Sequence, residues 1–273
     1  MTQTAFITGG TGGLGLALTQ LLATSGWHVF AGDCDQAALT TLATQDNITP
    51  VFIDVSNTES VTAAFQTVKS QTNTLDAVVN FAGIIRVGGM IEMQEDILRQ
   101  VLDINLMGTF RVNKAFFPLI KQGQHCGRII NISSETGWHT ASPFNGPYAM
   151  SKYGIEAYSD TLRRELNIYN VPVICIQPGP FKTNLVSNVV NNFNQASHES
   201  SLYKKQLEKF GRMTFEANQK AGQPDNLAKV IHKALTVKKP KHRYSVEADK
   251  GRSILEWLPM SWADAIFKKI MSA

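Results

Sequence analysis

The glycine-rich segment at residues 8–15 constrains this chain more than any other feature. It reads Thr-Gly-Gly-Thr-Gly-Gly-Leu-Gly, ends an apolar run at 5–8 and leads into leucines at helical spacing. Glycines at a strand-to-helix turn allow positive φ and let backbone N–H groups approach a pyrophosphate, whose charge is favoured at a helix N-terminus. With a strand before it and a helix after it, the motif favours dinucleotide binding over a merely tight turn.

Short apolar runs alternate with longer helical patterns from the N-terminus onwards. These runs are apolar on both faces, as expected of central strands covered by helices, and they lie at 5–8, 29–31, 51–53, 77–79, 128–132 and 171–176. A helix over 225–236 and a short strand at 244–246 follow. The alternation predicts an α/β fold: a single Rossmann-type, doubly wound parallel sheet of about seven strands, with helices on both faces.

The chain of 273 residues shows neither an internal repeat nor a linker, so residues 1–273 are expected to form a single dinucleotide-binding and catalytic domain. Two segments depart from the regular alternation. Residues 184–222 begin with an Asn- and Ser-rich stretch without clear period, which predicts a substrate-binding loop region, mobile or with short helices. Residues 253–270 predict a C-terminal helical extension that is broken at Pro259.

Composition and charge exclude several classes of protein. The net charge of +4 is too small and too dispersed for a nucleic-acid surface, so no nucleic-acid partner is expected. Cys34, Cys126 and Cys175 are odd in number and widely spaced, and the histidines lack metal-ligand spacing, which predicts neither disulfides nor a metal site. A reducing, cytoplasmic location fits these thiols. Neither a secretory signal nor a transmembrane segment is expected.

Asp33 is the residue that bears on cofactor choice. It ends the second predicted strand, 18 residues beyond Gly15, where an acidic side chain can bind the hydroxyls of the adenosine ribose. A carboxylate there also repels a 2′-phosphate, and no Lys or Arg lies within 9–15 or 33–39 to offset that repulsion. We therefore predict NAD, with NADP less favoured. The alternative is an ordinary turn aspartate.

Tyr148 and Lys152 lie four residues apart at the start of a helical pattern, so both project from one face. A cation within about 4–6 Å lowers the pKa of a phenol from about 10 by one to three units, as a general acid/base near neutral pH requires. Lys152 is placed to supply that cation. The alternative is a fortuitous pair on a helix surface.

Ser133 and Ser134 follow the predicted strand at 128–132, at the carboxyl edge of the sheet where open α/β folds bind ligands. On their own they are typical of a pair of turn serines, because Ser is common in turns. The alternative is a site for a substrate oxygen.

Taken together, these cues resemble the short-chain dehydrogenase/reductase family in their order and approximate spacing, over roughly residues 4–183. The residues that carry the resemblance are Thr8-Gly9 with Gly13 and Gly15, Asn80-Phe81-Ala82-Gly83, Asn105, Ser134, Tyr148 with Lys152, and Pro178-Gly179 with Thr183. Residues 136–148, 158–166 and 178–181 look like the retinol and hydroxysteroid dehydrogenase branch of that family.

The resemblance implies a role for each catalytic residue. Tyr148 would be the acid/base, while Lys152 would depress its pKa and hold the nicotinamide ribose. Ser134 would bind the substrate oxygen, and Asn105 would support a water-linked proton path to Lys152. Thr183 would contact the nicotinamide end of the cofactor.

The cofactor site that we predict from the motifs and the resemblance includes Asp54, at the position from which the family contacts adenine. The complete set is Gly9, Thr11, Gly13, Leu14, Gly15, Asp33, Asp54, Asn80, Ala82, Gly83, Tyr148, Lys152, Pro178, Gly179, Phe181 and Thr183.

Two departures from the family pattern affect these assignments. Phe81 stands where the family has a second asparagine, so the contacts of that amide are lost. Ser134 and Tyr148 are 14 residues apart, one more than is usual in the family, which keeps Ser133 as an alternative to Ser134.

The expected substrate is a small hydrophobic alcohol or carbonyl compound, retinoid-like or steroid-like. The side chains expected to line its pocket are apolar, although core packing is the alternative for half of them: Trp138, Phe144, Phe181, Leu185, Val186, Val189, Val190 and Phe193. An NADP-linked carbonyl reductase and a non-catalytic dinucleotide sensor are the rival functions.

The apolar C-terminal stretch 254–270 predicts a lid or an oligomer contact, and we expect a homodimer or homotetramer. A peripheral contact with a membrane, aided by Lys268 and Lys269, is the alternative.

Overall fold

The computed structural model describes residues 2–122 and 127–272, and only the backbone of 184–187 and 250. Cys126 lies outside the described residues. The strands are β1 Thr4–Thr8, β2 His28–Asp33, β3 Ile48–Phe52, β4 Ala77–Asn80, β5 Arg128–Ile132, β6 Val173–Pro178 and β7 Arg243–Val246. The α-helices are α1 Gly13–Thr24, α2 Gln36–Leu42, α3 Thr58–Lys69, α4 Glu95–Leu102, α5 Gly108–Lys121, α6 Gly146–Leu166, α7 Asn184–Glu199, α8 Lys204–Gln219, α9 Pro224–Thr236, α10 Lys250–Leu255 and α11 Met260–Ser272.

The strands form one seven-stranded parallel sheet in the order β3-β2-β1-β4-β5-β6-β7. The strand order reverses between β1 and β4, and a crevice opens beyond the carboxyl ends of the strands at such a point. The predicted Rossmann-type sheet is confirmed. β6 begins at Val173, two residues later than predicted, because Pro172 has no N–H for the ladder.

Two apolar cores cover the faces of the sheet, which confirms the predicted helices on both sides. On one face α1 and α9 pack through Leu18, Leu22 and Ile231, all fully buried. On the other face α3 and α5 pack through Val68 and Phe116. The sheet is therefore shielded from water except at its strand ends, where a ligand has access.

The helical segment between β4 and β5 contains a turn that the spacing of apolar residues does not predict. A π-helical turn, Asp103–Met107, joins α4 to α5 and places Asn105 inside the protein with no exposed surface. Such turns occur mostly at functional sites, because the extra residue redirects a side chain.

Residues 184–222 are not the loop or short helices that we predicted, since α7 and α8 are helices of 16 residues each. Val189, Phe193 and Ala196 recur at helical spacing and pack with Leu207 and Phe210 in a third apolar cluster. The intervening Asn and Ser residues obscured this period in the sequence.

The C-terminal extension consists of α10 and α11, and the predicted break at Pro259 is confirmed. Ile270 and Met271 of α11 pack against the third cluster. The outer surface of the two helices carries large exposed apolar side chains, among them Trp257, which is 89% exposed; we call this set the C-terminal apolar surface: Ile254, Trp257, Met260, Trp262 and Ile266. Among the described residues, no helix combines the length and the apolar character needed to cross a bilayer.

Candidate active site

The glycine-rich turn lies against the turn that follows β4. Gly9 has a φ of +67°, and a Cβ there would lie 3.0 Å from the Ala82 nitrogen. A Cβ at Gly15 would collide with the carbonyl oxygen of Gly9. The turn therefore admits no side chain at either position, and its backbone is free to approach a phosphate group at the start of α1.

Gly13 brings the other side of the crevice into contact with this turn. A Cβ at Gly13 would lie 2.9 Å from the Thr183 side chain, which immediately precedes α7. Leu14 is the next residue in α1 and is half-buried. Thr183 is thus placed beside the glycine-rich turn, and its contact with the nicotinamide end of the cofactor stays a prediction.

Asp33 lies beside the same glycine-rich turn, at the end of β2. Its Oδ2 accepts hydrogen bonds from the Thr11 hydroxyl at 2.6 Å and the Thr11 N–H at 3.3 Å. Asp35, two residues further on, caps α2 and is not directed to this turn. A carboxylate in this place can bind the ribose hydroxyls of a dinucleotide whose pyrophosphate lies against the glycine-rich turn at the N-terminus of α1.

The other acidic candidate, Asp54, accepts hydrogen bonds from the N–H and hydroxyl of Ser56 through one carboxylate oxygen, Oδ1. It lies directly after β3, and its proposed contact with adenine stays a prediction.

Asn80 is engaged inside the protein. Its Nδ2 donates to Asn113 Oδ1 at 2.8 Å and Asn131 Oδ1 at 3.0 Å, and only 3% of the residue is exposed. Its Oδ1 has no hydrogen-bond partner among the described residues. The side chain thus links β4 to α5 and β5, and its part in the cofactor site stays a prediction.

Asn105 links that turn to α6. Its Oδ1 accepts from the Ile84 N–H at 2.8 Å, and its Nδ2 donates to the Ile84 carbonyl at 2.9 Å and to Ser151 Oγ at 3.0 Å. A Cβ at Gly83 would lie 3.2 Å from the Asn105 Oδ1. Asn105 therefore positions the backbone next to Lys152, while the water-linked path stays a prediction.

The two serines after β5 have different surroundings. Ser133 Oγ donates to the Lys152 carbonyl at 3.4 Å and packs so close to Gly137 that a Cβ there would collide with it. Ser134 Oγ accepts from the Thr136 N–H at 3.2 Å and forms a hydrogen bond with the Tyr148 side chain. Ser134, rather than Ser133, is therefore the serine beside the tyrosine.

Tyr148 and Lys152 lie on the same side of α6, as the spacing predicted. The Lys152 Nζ lies 5.4 Å from the centroid of the Tyr148 ring and donates to the Ile132 carbonyl at 2.7 Å. Ser134, Tyr148 and Lys152 thus meet at the carboxyl edge of β5.

The predicted fall in the pKa of Tyr148 is wrong for this arrangement. Burial raises the pKa of Tyr148 to about 12, against the opposing effect of the hydrogen bond with Ser134, and Glu135 raises it further. Burial also lowers the pKa of Lys152 to about 8, with Cys175 and Glu156 acting in the other direction. The ammonium is directed to a backbone carbonyl and not to the phenol oxygen, so burial dominates. At neutral pH this phenol is protonated and is a proton donor.

The segment after β6 differs in part from its predicted role. The Gly179 N–H donates to the Val246 carbonyl at 2.8 Å, and a Cβ at Gly179 would collide with the Glu247 carbonyl oxygen. This glycine is therefore required by packing against the end of β7. Pro178 ends β6. Phe181 is 2% exposed and lies in the core with α1 and α9, so the prediction that its side chain lines the substrate pocket is wrong. Its place in the cofactor site stays a prediction.

A cavity of about 690 Å³ lies between the segment 141–146 and one side of α11. Its lining is mainly apolar and includes Met90, Phe144, Phe267, Lys268 and Met271. Gly146, which also lines it, is two residues from Tyr148, but Ser134, Tyr148 and Lys152 are not among the lining residues.

Of the predicted lining residues whose side chains the structure describes, only Phe144 lies in this cavity. Phe193 is buried in the third cluster with Val189, because both are on the packed side of α7. Trp138 and Val190 are half-buried outside the cavity. The side chains of Leu185 and Val186 lie outside the described residues.

Sequence reasoning missed two groups of residues around the site. One is the buried amide cluster of Asn113 and Asn131 below Asn80, for which an asparagine in the apolar strand β5 was an available signal. The other is an ion pair between Glu135 and Arg252, residues 117 apart, for which the sequence carried no signal.

Within 2–122 and 127–272, no group of three His, Cys, Asp or Glu residues could hold a metal ion. Cys34 is exposed, and the buried Cys175 thiol donates to Glu156 Oε1 at 3.2 Å.

Comparisons with known proteins agree with this geometry. The family model described as short chain dehydrogenase matches residues 3–194. Retinol dehydrogenase 7 of Rattus norvegicus is 34% identical over 271 residues, covering 94% of this chain and 83% of the rat protein. The 17-beta-hydroxysteroid dehydrogenase type 6 of Bos taurus is 34% identical over 282 residues, covering 97% and 87%.

Among solved structures, a short-chain dehydrogenase from Streptomyces avermitilis superposes with a TM-score of 0.78 at 22% identity, covering 99% of this chain and 95% of that one. Its similarity supports the Rossmann-like fold. The chain therefore belongs to the short-chain dehydrogenase/reductase family, in its retinol and hydroxysteroid dehydrogenase branch, and is an oxidoreductase of CH–OH groups that takes a nicotinamide dinucleotide.

Proposed function

We propose that this chain transfers a hydride between NAD(H) and a hydrophobic alcohol or ketone of retinoid-like or steroid-like bulk, with Tyr148 as the general acid/base. The observation that carries the proposal is the meeting of the Tyr148 phenol, the Ser134 hydroxyl and the Lys152 ammonium at the carboxyl edge of the sheet. The mainly apolar cavity beside the segment that leads into Tyr148 is in keeping with a hydrophobic substrate, and the names of the curated relatives favour the same substrate class.

The bound nicotinamide supplies hydride acceptance and donation. The backbone at Gly9 and Gly15 would bind the pyrophosphate of the cofactor, and Asp33 would bind the adenosine ribose. Thr183 would contact the nicotinamide end. In carbonyl reduction the Tyr148 hydroxyl donates its proton to the substrate oxygen, and in alcohol oxidation the phenolate takes that proton back.

Ser134 complements Tyr148 by donating a hydrogen bond to the same oxygen, where negative charge develops during the reaction. Lys152 places a positive charge near the phenol, which favours the phenolate in the oxidation direction. Together the three side chains move one proton and stabilise one oxyanion.

The preference for NAD rests on Asp33. Its carboxylate lies beside the glycine-rich turn and accepts a hydrogen bond from the Thr11 hydroxyl. From this place it can also accept hydrogen bonds from ribose hydroxyls, but it repels a 2′-phosphate. The rival functions are an NADP-linked carbonyl reductase and a dinucleotide sensor without catalysis.

The first prediction tests activity and cofactor choice together. Retinol, hydroxysteroids and short-chain alcohols are assayed with NAD+ and NADP+, and formation of the reduced cofactor is followed by absorbance. We expect turnover with the bulky alcohols and a kcat/KM for NAD+ at least about tenfold above that for NADP+, because the Asp33 carboxylate repels the 2′-phosphate of NADP+. Asp33→Ser should bring the kcat/KM for NADP+ closer to that for NAD+.

Each rival gives a different result in this assay. A preference of the wild type for NADP+ contradicts the role of Asp33 and supports the carbonyl reductase. Tight binding of NADH without turnover of any alcohol or ketone supports the sensor. The polar short-chain alcohols are the matched control for the apolar cavity.

We also propose that the chain forms a homodimer or homotetramer through the C-terminal apolar surface, in a cytoplasmic setting. Exposed Trp and Met side chains are typical of the buried part of protein interfaces. The second prediction is that the paired substitution Trp257→Ser and Trp262→Ser reduces the mass measured by light scattering to the 30.1 kDa of a single chain.

Leu202→Ser removes another exposed apolar side chain, 61% exposed and outside this surface, and should leave the mass unchanged. An unchanged mass in the double Trp variant would show that the copies associate elsewhere. A wild type that is monomeric and sediments with anionic vesicles would instead support the contact with a membrane surface.

A further inference from the structure

The C-terminal segment is joined to the segment that follows Ser134 by an ion pair and backbone hydrogen bonds. The Glu135 Oε1 accepts from Arg252 Nη1 at 3.0 Å, and its Oε2 accepts from the Asp249 N–H at 2.7 Å. Arg252 Nη2 also donates to the Thr140 carbonyl at 3.3 Å. Both oxygens of the carboxylate next to Ser134 are therefore held by residues at the start of α10.

Further contacts hold the same two segments together. The Thr140 N–H and hydroxyl both donate to Glu256 Oε1, the hydroxyl at 2.7 Å. His139 Nε2 and Ser253 Oγ are 3.1 Å apart, and the Tyr153 hydroxyl donates to the His139 carbonyl at 2.8 Å. The segment 135–140 thus has α6 on one side and α10 on the other.

The Glu135–Arg252 pair differs from the surface pairs of this protein. Only 11% of the Glu135 side chain and 25% of the Arg252 side chain are exposed, whereas both members of the Arg99–Glu95 pair are more than 70% exposed. A charge in a shielded place that loses its partner interacts more strongly with the other charges around it.

The Ser134 hydroxyl is hydrogen-bonded to the Tyr148 side chain, and the Lys152 Nζ lies 5.4 Å from the centroid of its ring. The charge of the Glu135 carboxylate, in the residue next to Ser134, raises the pKa of Tyr148. The carboxylate disfavours the phenolate, and Arg252 offsets its negative charge. The charged and titratable groups around the pair itself include Asp249, which caps α10, and Glu256, which is bound to Thr140. They also include His139 and, from α6, Tyr153, whose pKa is raised by burial and by Glu256 and lowered by Arg252.

We propose that Arg252 is a positioning residue for the reaction: paired with Glu135, it fixes the segment that carries Ser134 and neutralises the carboxylate beside the catalytic tyrosine. The inference rests on the proposed function and adds that the C-terminal segment, far from Tyr148 in sequence, tunes the proton transfer at that residue.

The test is the pH dependence of alcohol oxidation in Arg252→Gln, Glu135→Gln and the double variant, between pH 7 and 10. Burial, more than Arg252, holds the pKa of His139 below its usual value. Burial also lowers the pKa of Lys152 to about 8, so this ammonium titrates within the same range in every variant, and each profile is therefore compared with that of the wild type. Oxidation requires the phenolate, and its rate therefore rises with pH.

With Arg252 removed, the unpaired Glu135 charge raises the pKa of Tyr148. The rising limb of the plot of log kcat against pH therefore moves to higher pH, and kcat at pH 7 falls roughly threefold to tenfold. With Glu135 removed, the unpaired Arg252 favours the phenolate, and the limb moves to lower pH. The double variant should have a limb close to that of the wild type.

A purely structural role predicts a different pattern: both single variants lose kcat equally at every pH, the limb stays in place, and the double variant is no better than either. That result would overturn the inference. Arg252→Lys keeps the charge and should keep the limb near its wild-type position, which separates charge from fold. Thermal melts identify any variant that does not fold.

Arg163→Gln is the matched control, because Arg163 is also 25% exposed and pairs with Asp160 on the outer side of α6. Its limb should not move. If Tyr148→Phe retains wild-type turnover, the proposed function itself has failed. If Tyr148→Phe is inactive while Arg252→Gln has the same pH profile as the wild type, the proposed function stands and only the role of Arg252 is contradicted.

Discussion

Tyr148→Phe is expected to reduce kcat by about 10²-fold or more while the Kd for NADH stays within a small factor of the wild-type value. The substitution removes the hydroxyl that moves the proton, a loss that typically costs at least this much in rate. It leaves the ring, and therefore the packing beside Ser134 and Lys152, in place. Steady-state turnover and fluorescence titration with NADH measure the two quantities separately.

Tyr158→Phe is a demanding control for this prediction. Tyr158 lies on the same helix, burial raises its pKa to about 12 as well, and its hydroxyl is 3.4 Å from Asn113 Nδ2. It has neither the serine nor the lysine neighbour, so this variant should retain turnover. If both variants lose activity alike, helix packing rather than the Tyr148 proton explains the loss, and a Tyr148→Phe enzyme with wild-type turnover contradicts the assignment outright.

The fold could be predicted from local patterns because each pattern has a direct structural cause. Apolar runs such as 128–132 became buried parallel strands, and the glycines of residues 8–15 became a turn that admits no Cβ at Gly9 or Gly15. Where polar residues interrupt the period, as in α7, the packed side of the helix was missed although Val189 and Phe193 carry it.

The site could be predicted as a set of residues, but not in its energetics. Spacing along α6 placed Tyr148 and Lys152 on one side, yet the sequence could not show that the Lys152 ammonium is directed to the Ile132 carbonyl. It also could not show that burial outweighs that charge at the phenol. Contacts between distant segments, such as Glu135 with Arg252, arise only when the chain is folded.

Phe116→Ala is expected to lower the free energy of unfolding by about 3–5 kcal/mol, a large part of the 5–15 kcal/mol typical of a folded protein. The ring is fully buried between α5 and the sheet, stacks on Phe6 with centroids 4.0 Å apart and contacts the edge of Phe65 at 5.7 Å. Truncation removes both aromatic contacts and leaves a cavity that close-packed neighbours fill only in part.

Urea unfolding followed by circular dichroism, at one fixed protein concentration because subunit association also stabilises the folded state, measures this loss. Phe215→Ala is the control, since Phe215 is 53% exposed and its removal should cost far less. Equal losses in the two variants would mean that the Phe6–Phe116 stack is not a main source of stability. In that case the sheet would be held chiefly by the core on its other face, where α1 and α9 pack.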